Sequence, residues 1–282
     1  MNPKVTPILL LLSYMIPGHF YNFFHIILFI LYNMKKYFNI FSLGSCRSHM
    51  NLYTKNNIIK NYDCSHDTKS HLQWLRLLLG KLKLSDHPAA HCFAFKPKDF
   101  INKITQIKDD LLNCDIILIE ISSIKVFYDK LGFIYQMNRL EENGMRHSKK
   151  IMVRKQSEKE IYNDIIEIQN LINKPIIFQS HINLKFLTLG NKYIHNRVKI
   201  DNAVRNASKY HLIIKDIFLK KMNKTPNDTI DCRPKTAFKL YNRHIGWKGY
   251  FNDPYHFTNK GYIVLSQELD KKINYMISKG IL

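Results

Sequence analysis

The sequence predicts an α/β fold built on a parallel sheet, and three observations carry that prediction. The run Asp115-Ile-Ile-Leu-Ile-Glu-Ile-Ser-Ser123 is almost continuously β-branched, as strands covered on both faces are. A second run, Pro175-Ile-Ile-Phe-Gln-Ser-His181, has the same character, and both end in polar residues. Around them lie stretches with apolar residues at helical spacing. Alternation of strand and helix along one chain calls for parallel strands joined by right-handed crossovers.

Each element has its own justification. From Tyr37 an apolar segment runs straight into Gly44-Ser45-Cys46-Arg47, a strand entering a tight turn. In an open α/β sheet such a turn lies at the carboxyl edge, where ligands bind. Asp67 to Leu79 reads as a helix capped by Asp67 or Thr68 and stopped at Gly80, with Leu72, Leu75 and Leu79 on one face. Ala89 to Phe95 is a candidate short strand. Phe100, Ile101, Ile104, Ile107 and Leu111 make Lys98 to Leu112 an amphipathic helix. After the strand at 115–123, the stretch from Lys125 to Lys155 is polar and irregular, with Arg139, Arg146, Lys149, Lys150 and Arg154. It reads as an excursion over the active edge, either a lid or a solvated insertion. Ser157-Glu-Lys-Glu160 is a capping box, and Ile161, Ile165, Ile168 and Ile172 continue an apolar stripe behind it. Beyond the strand at 175–181, Ile200 to Ala207 is expected as helix, and Tyr210 to Leu219 is expected to hold a further strand around Leu212-Ile-Ile214. Lys220 to Asn252 reads as a long loop, and Thr258 caps a final helix carrying Leu265, Leu269, Ile273 and Ile277. Without an internal linker, 34–282 reads as one domain.

Composition narrows the function. The 282 residues are 45% hydrophobic and 23% charged, which suits a globular chain with a substantial core, and carry a net charge of +21. That charge is spread among Asn, Ile and Tyr rather than clustered. With no Gly-rich phosphate loop, zinc finger or aromatic RNA-binding motif, the sequence argues against a nucleic-acid partner. Five cysteines, Cys46, Cys64, Cys92, Cys114 and Cys232, form no C-x-x-C pair, which argues against a disulfide framework or a zinc site and suits a reducing compartment. His66, His71, His87, His91 and His211 lack metal-ligand spacing, so no metal is expected. Sequons at Asn206, Asn223 and Asn227 would matter only in a secretory lumen.

The segment 1–33 is an apolar leader. Pro17, Gly18, His19, Asn22 and His25 interrupt the apolar stretch at 8–32, making it a poor membrane span. If it inserts, Lys35 and Lys36 outweigh Lys4 and keep the main domain cytoplasmic. The other reading starts the protein at Met34, with the upstream residues a spurious translation. Either way the expected location of the domain is cytoplasmic, free or membrane-anchored.

Two motifs carry the chemistry. Cys46 follows the first strand, where unpaired backbone N–H groups and Arg47 favour a thiolate; alternatively it is a small buried residue. Near the other end, Asn252-Asp-Pro-Tyr-His-Phe-Thr-Asn-Lys-Gly-Tyr262 places Asp253 three residues before His256, so the carboxylate can hold one ring nitrogen while the other acts as base. The order, Gly-Ser-Cys after the first strand and D-x-x-H before the last helix, resembles the SGNH (GDSL-type) hydrolase superfamily. Gly44-Ser45-Cys46 stands where that family has Gly-Asp-Ser, and the likeness is to its Gly-Ser-Cys branch, which includes GSCFA-type proteins and capsule-biosynthesis acetyltransferases. The resemblance implies a single flavodoxin-like three-layer α/β/α domain with a mainly parallel sheet of about five strands. It also implies a Cys46–His256–Asp253 catalytic site acting on O-acyl, above all acetyl, esters of carbohydrate. Water as the acceptor gives an esterase and a sugar hydroxyl gives an acyltransferase, for which acetyl-CoA is a possible acyl donor; no other cofactor is expected.

The chain departs from the family pattern at Glu120-Ile-Ser-Ser123, where relatives carry a Gly-x-Asn-Asp block for the oxyanion. Ser122 and Ser123, through hydroxyl or backbone N–H, are the substitutes, with Gly44, Ser45 and Arg47 around the turn. Arg47 either binds an anionic acyl donor or caps its turn. His181 either touches substrate or is a hydrogen-bonded structural histidine, and Glu120 either orients the turn after Cys46 or pairs with a basic residue. The alternative function is a catalytically inactive basic protein that binds glycan or nucleic acid.

Overall fold

A computed structural model describes residues 37–45, 57–63, 66–83, 97–136, 150–181, 191–221 and 257–282. The main sheet contains β1 (Phe38–Gly44), β2 (Asn57–Asp63), β3 (Ile116–Ile121), β7 (Ile176–Ser180) and β8 (His211–Leu212). Its order is β2-β1-β3-β7-β8 and every pairing is parallel. This is the α/β architecture the sequence predicts. The remaining strands, β4 (Lys125–Tyr128), β5 (Ile134–Tyr135) and β6 (Met152–Lys155), form a separate antiparallel sheet. The helices are α1 (Thr68–Leu78), α2 (Pro97–Asn113), α3 (Glu158–Leu171), α4 (Asn191–Ala207), α5 (Ile214–Lys221) and α6 (Asn259–Ser278).

Pleating divides the sheet's side chains between two helical layers. Phe41, Leu43, Ile117, Ile119, Ile121 and Phe178 pack with residues of α1, α2, α3 and α4. Phe38, Ile40, Ile59, Ile116, Leu118, Ile177 and Leu212 face α5 and α6. This double coverage explains why 116–119 shows no alternation: each of these residues is fully buried, on one side or the other. Burial of one such side chain contributes about 2 kcal/mol.

The helix starts are set by local chemistry. Asp67 caps α1 by accepting from the Ser70 N–H at 2.9 Å, and Ser157 and Glu160 close the capping box of α3. Gly80, at φ 71°, ends α1 in a conformation that favours glycine. Thr258 opens α6 by accepting from the Gly261 N–H.

The structure corrects two readings and adds one strand. The strand expected around Leu212-Ile-Ile214 is present but shorter: β8 covers His211–Leu212 and α5 begins at Ile214, because Ile214, Ile217 and Phe218 form a helical face against the α6 layer. A short apolar run does not reveal its own period. The described parts of Lys125 to Lys155 are ordered as β4, β5 and β6, fastened to α1 where Gln73 exchanges two 2.8 Å hydrogen bonds with the Ile134 backbone. Finally, β2 is an edge strand whose Ile58 and Lys60 are exposed, so it lacks the continuous apolar run of its neighbours. The candidate strand at 89–95 and the leader at 1–33 lie outside the described residues.

The topology also marks a place for a ligand. From β1 the chain moves to β2 on one side and then returns to β3 on the other. The carboxyl ends of β1 and β3 therefore flank the topological switch point, where open α/β sheets bind ligands.

Candidate functional site

Three strand ends converge at this edge. Ser45 directly follows β1, Glu120 is near the end of β3, and His181 directly follows β7. The Ser45 backbone N–H donates to Glu120 Oε2 at 2.9 Å and the Ser45 hydroxyl donates to the same oxygen at 2.6 Å. His181 Nδ1 stands 3.5 Å from Glu120 Oε1. Ser45, Glu120 and His181 are 2%, 0% and 1% exposed. Glu120 shares its sheet face with Ile116 and Leu118, so a carboxylate interrupts an otherwise apolar row and finds its partners across the strands. Gln179 lies in register with Glu120; among the described residues neither atom of its buried amide finds a hydrogen-bond partner. Buried polar side chains thus gather at this end of the sheet, where the apolar segments of β3 and β7 lead up to them.

The last helix reaches the same point. Phe257, immediately before the Thr258 cap, packs edge-on to His181 with ring centroids 5.6 Å apart and stacks on Phe218 at 5.6 Å. Burial of Phe257 fixes where the chain enters α6.

A second cluster lies at the end of β3. The N–H groups of Ser122 and Ser123 donate to the His66 carbonyl at 2.9 and 2.8 Å. The Ser122 hydroxyl is 3.1 Å from His66 Nδ1, and both residues are partly exposed. Ser123 Oγ accepts from the Lys125 N–H at 2.9 Å. Both amides are thus engaged, while the Ser122 hydroxyl stands at the partly exposed surface beside His66. Beneath it, His71 Nε2–H donates to the Glu120 carbonyl at 2.8 Å. Burial lowers the His71 pKa to about 4, although its bond to Glu120 opposes that shift. Asp67 is shifted the other way, to about 6, by burial that outweighs its two hydrogen bonds from Ser70.

Of the predicted site residues, Gly44 and Ser45 end β1 at the switch point, Ser122 and Ser123 lie just past β3, and His181 is enclosed in the interior. Cys46, Arg47, Asp253 and His256 lie outside the described residues. Sequence reasoning considered His66 and His71 only as metal ligands. Their position follows from β2 and the α1 cap, which together bring the start of α1 to the carboxyl edge, and β2 carries a weak strand signal. An open cavity of 410 Å³ lies elsewhere, beside β8 and α6, lined by Arg205, His211, Lys272 and Tyr275 among others. Among the described residues, no cluster of His, Cys, Asp and Glu could hold a metal ion, and no helix is long and apolar enough to cross a membrane.

Comparison of the chain with family models, curated proteins and solved structures gives no match.

Proposed function

We propose that this chain is a hydrolase or acyltransferase acting on O-acyl esters, above all acetyl esters of carbohydrate, with Cys46 as nucleophile, His256 as base and Asp253 orienting the imidazole. One observation carries the reading: Ser45, Glu120, His181 and Phe257 form a continuous line of contacts at the switch point. Cys46 is the residue after Ser45 and His256 the residue before Phe257, and consecutive Cα atoms are only about 3.8 Å apart. Two motifs about two hundred positions apart in the sequence therefore adjoin residues, Ser45 and Phe257, that belong to this one line of contacts.

The chemistry balances. His256 takes the Cys46 thiol proton, the sulfur bonds to the ester carbonyl carbon, and the carbonyl oxygen becomes an oxyanion. Collapse breaks the C–O bond, and His256 returns the proton to the leaving alkoxide. Water or a sugar hydroxyl, deprotonated by His256, then attacks the thioester and frees Cys46 as its thiol once the proton returns. Acetyl-CoA is the natural donor if the acceptor is a sugar.

The test is intact-mass spectrometry of the full chain after brief exposure to p-nitrophenyl acetate, with Cys46→Ala and His256→Ala alongside. A single acetyl adduct dependent on both residues supports the reading. Labelling at Cys46 no faster than at the other cysteines overturns it. The net charge of +21 favours a second reading, a basic protein binding glycan or nucleic acid without turnover. Salt-sensitive polyanion binding retained in Cys46→Ala, with no adduct in the unsubstituted chain, would select it.

A further inference from the structure

We infer that the open cavity beside β8 and α6 is a binding site for a small phosphomonoester, its phosphate held by Lys272, Arg205 and His211. The inference does not depend on the acyl-transfer reading, since the cavity shares no lining residue with the contacts among Ser45, Glu120, His181 and Phe257.

The charge around the cavity is unbalanced. Its volume of 410 Å³ is in the range of small-ligand sites. Basic side chains reach it from separate elements: Arg205 from the last turn of α4, His211 from β8, and Lys271 and Lys272 from α6. The carboxylates in its wall, Asp216 of α5 and Glu268 of α6, are already engaged. Arg205 Nη2 donates to Asp216, and Lys271 Nζ donates to Glu268 at 2.6 Å. Lys272 is partly buried in the same wall, and among the described residues it has no ion pair. An anion is the group that this wall lacks.

His211 points to the same ligand. Its Nδ1–H donates to the Ser208 carbonyl at 3.0 Å, so Nε2 is a lone pair in the neutral ring and becomes a donor when the ring is protonated. Burial lowers the His211 pKa, and Lys272 and Arg205 lower it further, against the opposing pull of the Ser208 carbonyl and Asp216. A bound dianion offsets the two cations, raises the pKa and recruits Nε2–H as a further donor. A phosphate group offers three acceptor oxygens and nearly two charges, enough for Lys272 Nζ, His211 Nε2–H and a guanidinium N–H that Arg205 does not give to Asp216. A carboxylate has only two oxygens and one charge. Ile217 and Tyr275 line the same cavity and form an apolar and aromatic wall for the organic part of an ester.

The experiment titrates phenyl phosphate, inorganic phosphate and phenol into the full chain by calorimetry at low salt, and follows the His211 ring by NMR. Phenyl phosphate is expected to saturate one site and to bind about 10-fold more tightly than inorganic phosphate, with no binding of phenol. Lys272→Ala should weaken phenyl phosphate by about 10-fold or more, and Lys272→Arg should keep most of the affinity. Lys220→Ala, the same change of charge at an exposed position of α5, should leave it unaltered. Equal thermal midpoints of the free variants separate loss of the site from unfolding. Sulfate, which keeps both charges across this range, should raise the His211 pKa and bind about 3-fold more tightly at about pH 5.5 than at about pH 7.5, a dependence absent from His211→Gln. Four results would each overturn the inference: no saturable binding of phenyl phosphate, equal losses in Lys272→Ala and Lys220→Ala, equal affinity for phenyl phosphate and inorganic phosphate, or a His211 pKa that sulfate does not move.

Discussion

Replacing Glu120 with leucine tests whether the polar end of the sheet is held by a single carboxylate. In the structure Oε2 accepts from both the N–H and the hydroxyl of Ser45, and Oε1 faces His181. Leucine keeps roughly the same volume but leaves the Ser45 N–H and hydroxyl buried without that acceptor. At about 2 kcal/mol for each buried group deprived of its partner, the loss is about 4 kcal/mol. Glutamine can still present one oxygen to Ser45, so Glu120→Gln should lose only the difference between ionic and neutral bonds, about 2 kcal/mol in all. Urea denaturation followed by circular dichroism measures both. Ser45→Ala removes the hydroxyl bond and leaves the N–H bond, so a cycle with Glu120→Gln should show a coupling of about 1 kcal/mol. If Glu120→Leu stays within about 1 kcal/mol of the unsubstituted chain, the idea that Glu120 locks the Ser45 turn is wrong.

Three further outcomes follow from the same packing. Between about pH 4 and 6.5 the unfolded chain protonates His71 while the folded chain does not, so this residue makes stability rise with pH; Asp67, at about 6 in the fold against 3.8 unfolded, makes stability fall as pH rises through 4 to 6. Each effect amounts to about 3 kcal/mol and they oppose one another, so His71→Gln should become less stable from pH 4 to 6 and Asp67→Asn more stable; parallel urea-midpoint profiles for the two variants would refute the assignment. Asp164 accepts from Thr68 Oγ1 and Lys69 Nζ at 2.6 Å and from Gln156 Nε2 at 2.8 Å, so Asp164→Ala should cost about 3 kcal/mol by urea titration. Gly132 has φ 80° with open space around its missing Cβ, so Gly132→Ala should cost about 1 kcal/mol from backbone strain alone, seen as a small drop in thermal midpoint.

Legibility followed the local content of each signal. The strands at 116–121 and 176–180 announced themselves because burial on both faces demands unbroken apolar runs. The starts of α1, α3 and α6 were legible because a cap is a contact between residues three positions apart. β2 was missed: an edge strand needs only one covered face, and Asn57-Ile-Ile-Lys-Asn-Tyr-Asp63 carries too few apolar residues to stand out. The helix α5 gave no signal of its own, because eight residues of mixed character satisfy either period until Phe218 finds Phe257.

The same distinction governs the site. By itself the sequence determined the α/β class, the residue types at the strand ends, and the order in which Gly-Ser-Cys and Asp-x-x-His occur, since each is written in neighbouring residues. Only the tertiary structure decided that Glu120 bonds Ser45 and faces His181, that His181 is enclosed beside Phe257, and that His66 meets Ser122. Glu120 and Ser45 are 75 positions apart in the chain, and partners at such separations are chosen by strand order and register, which no local pattern encodes.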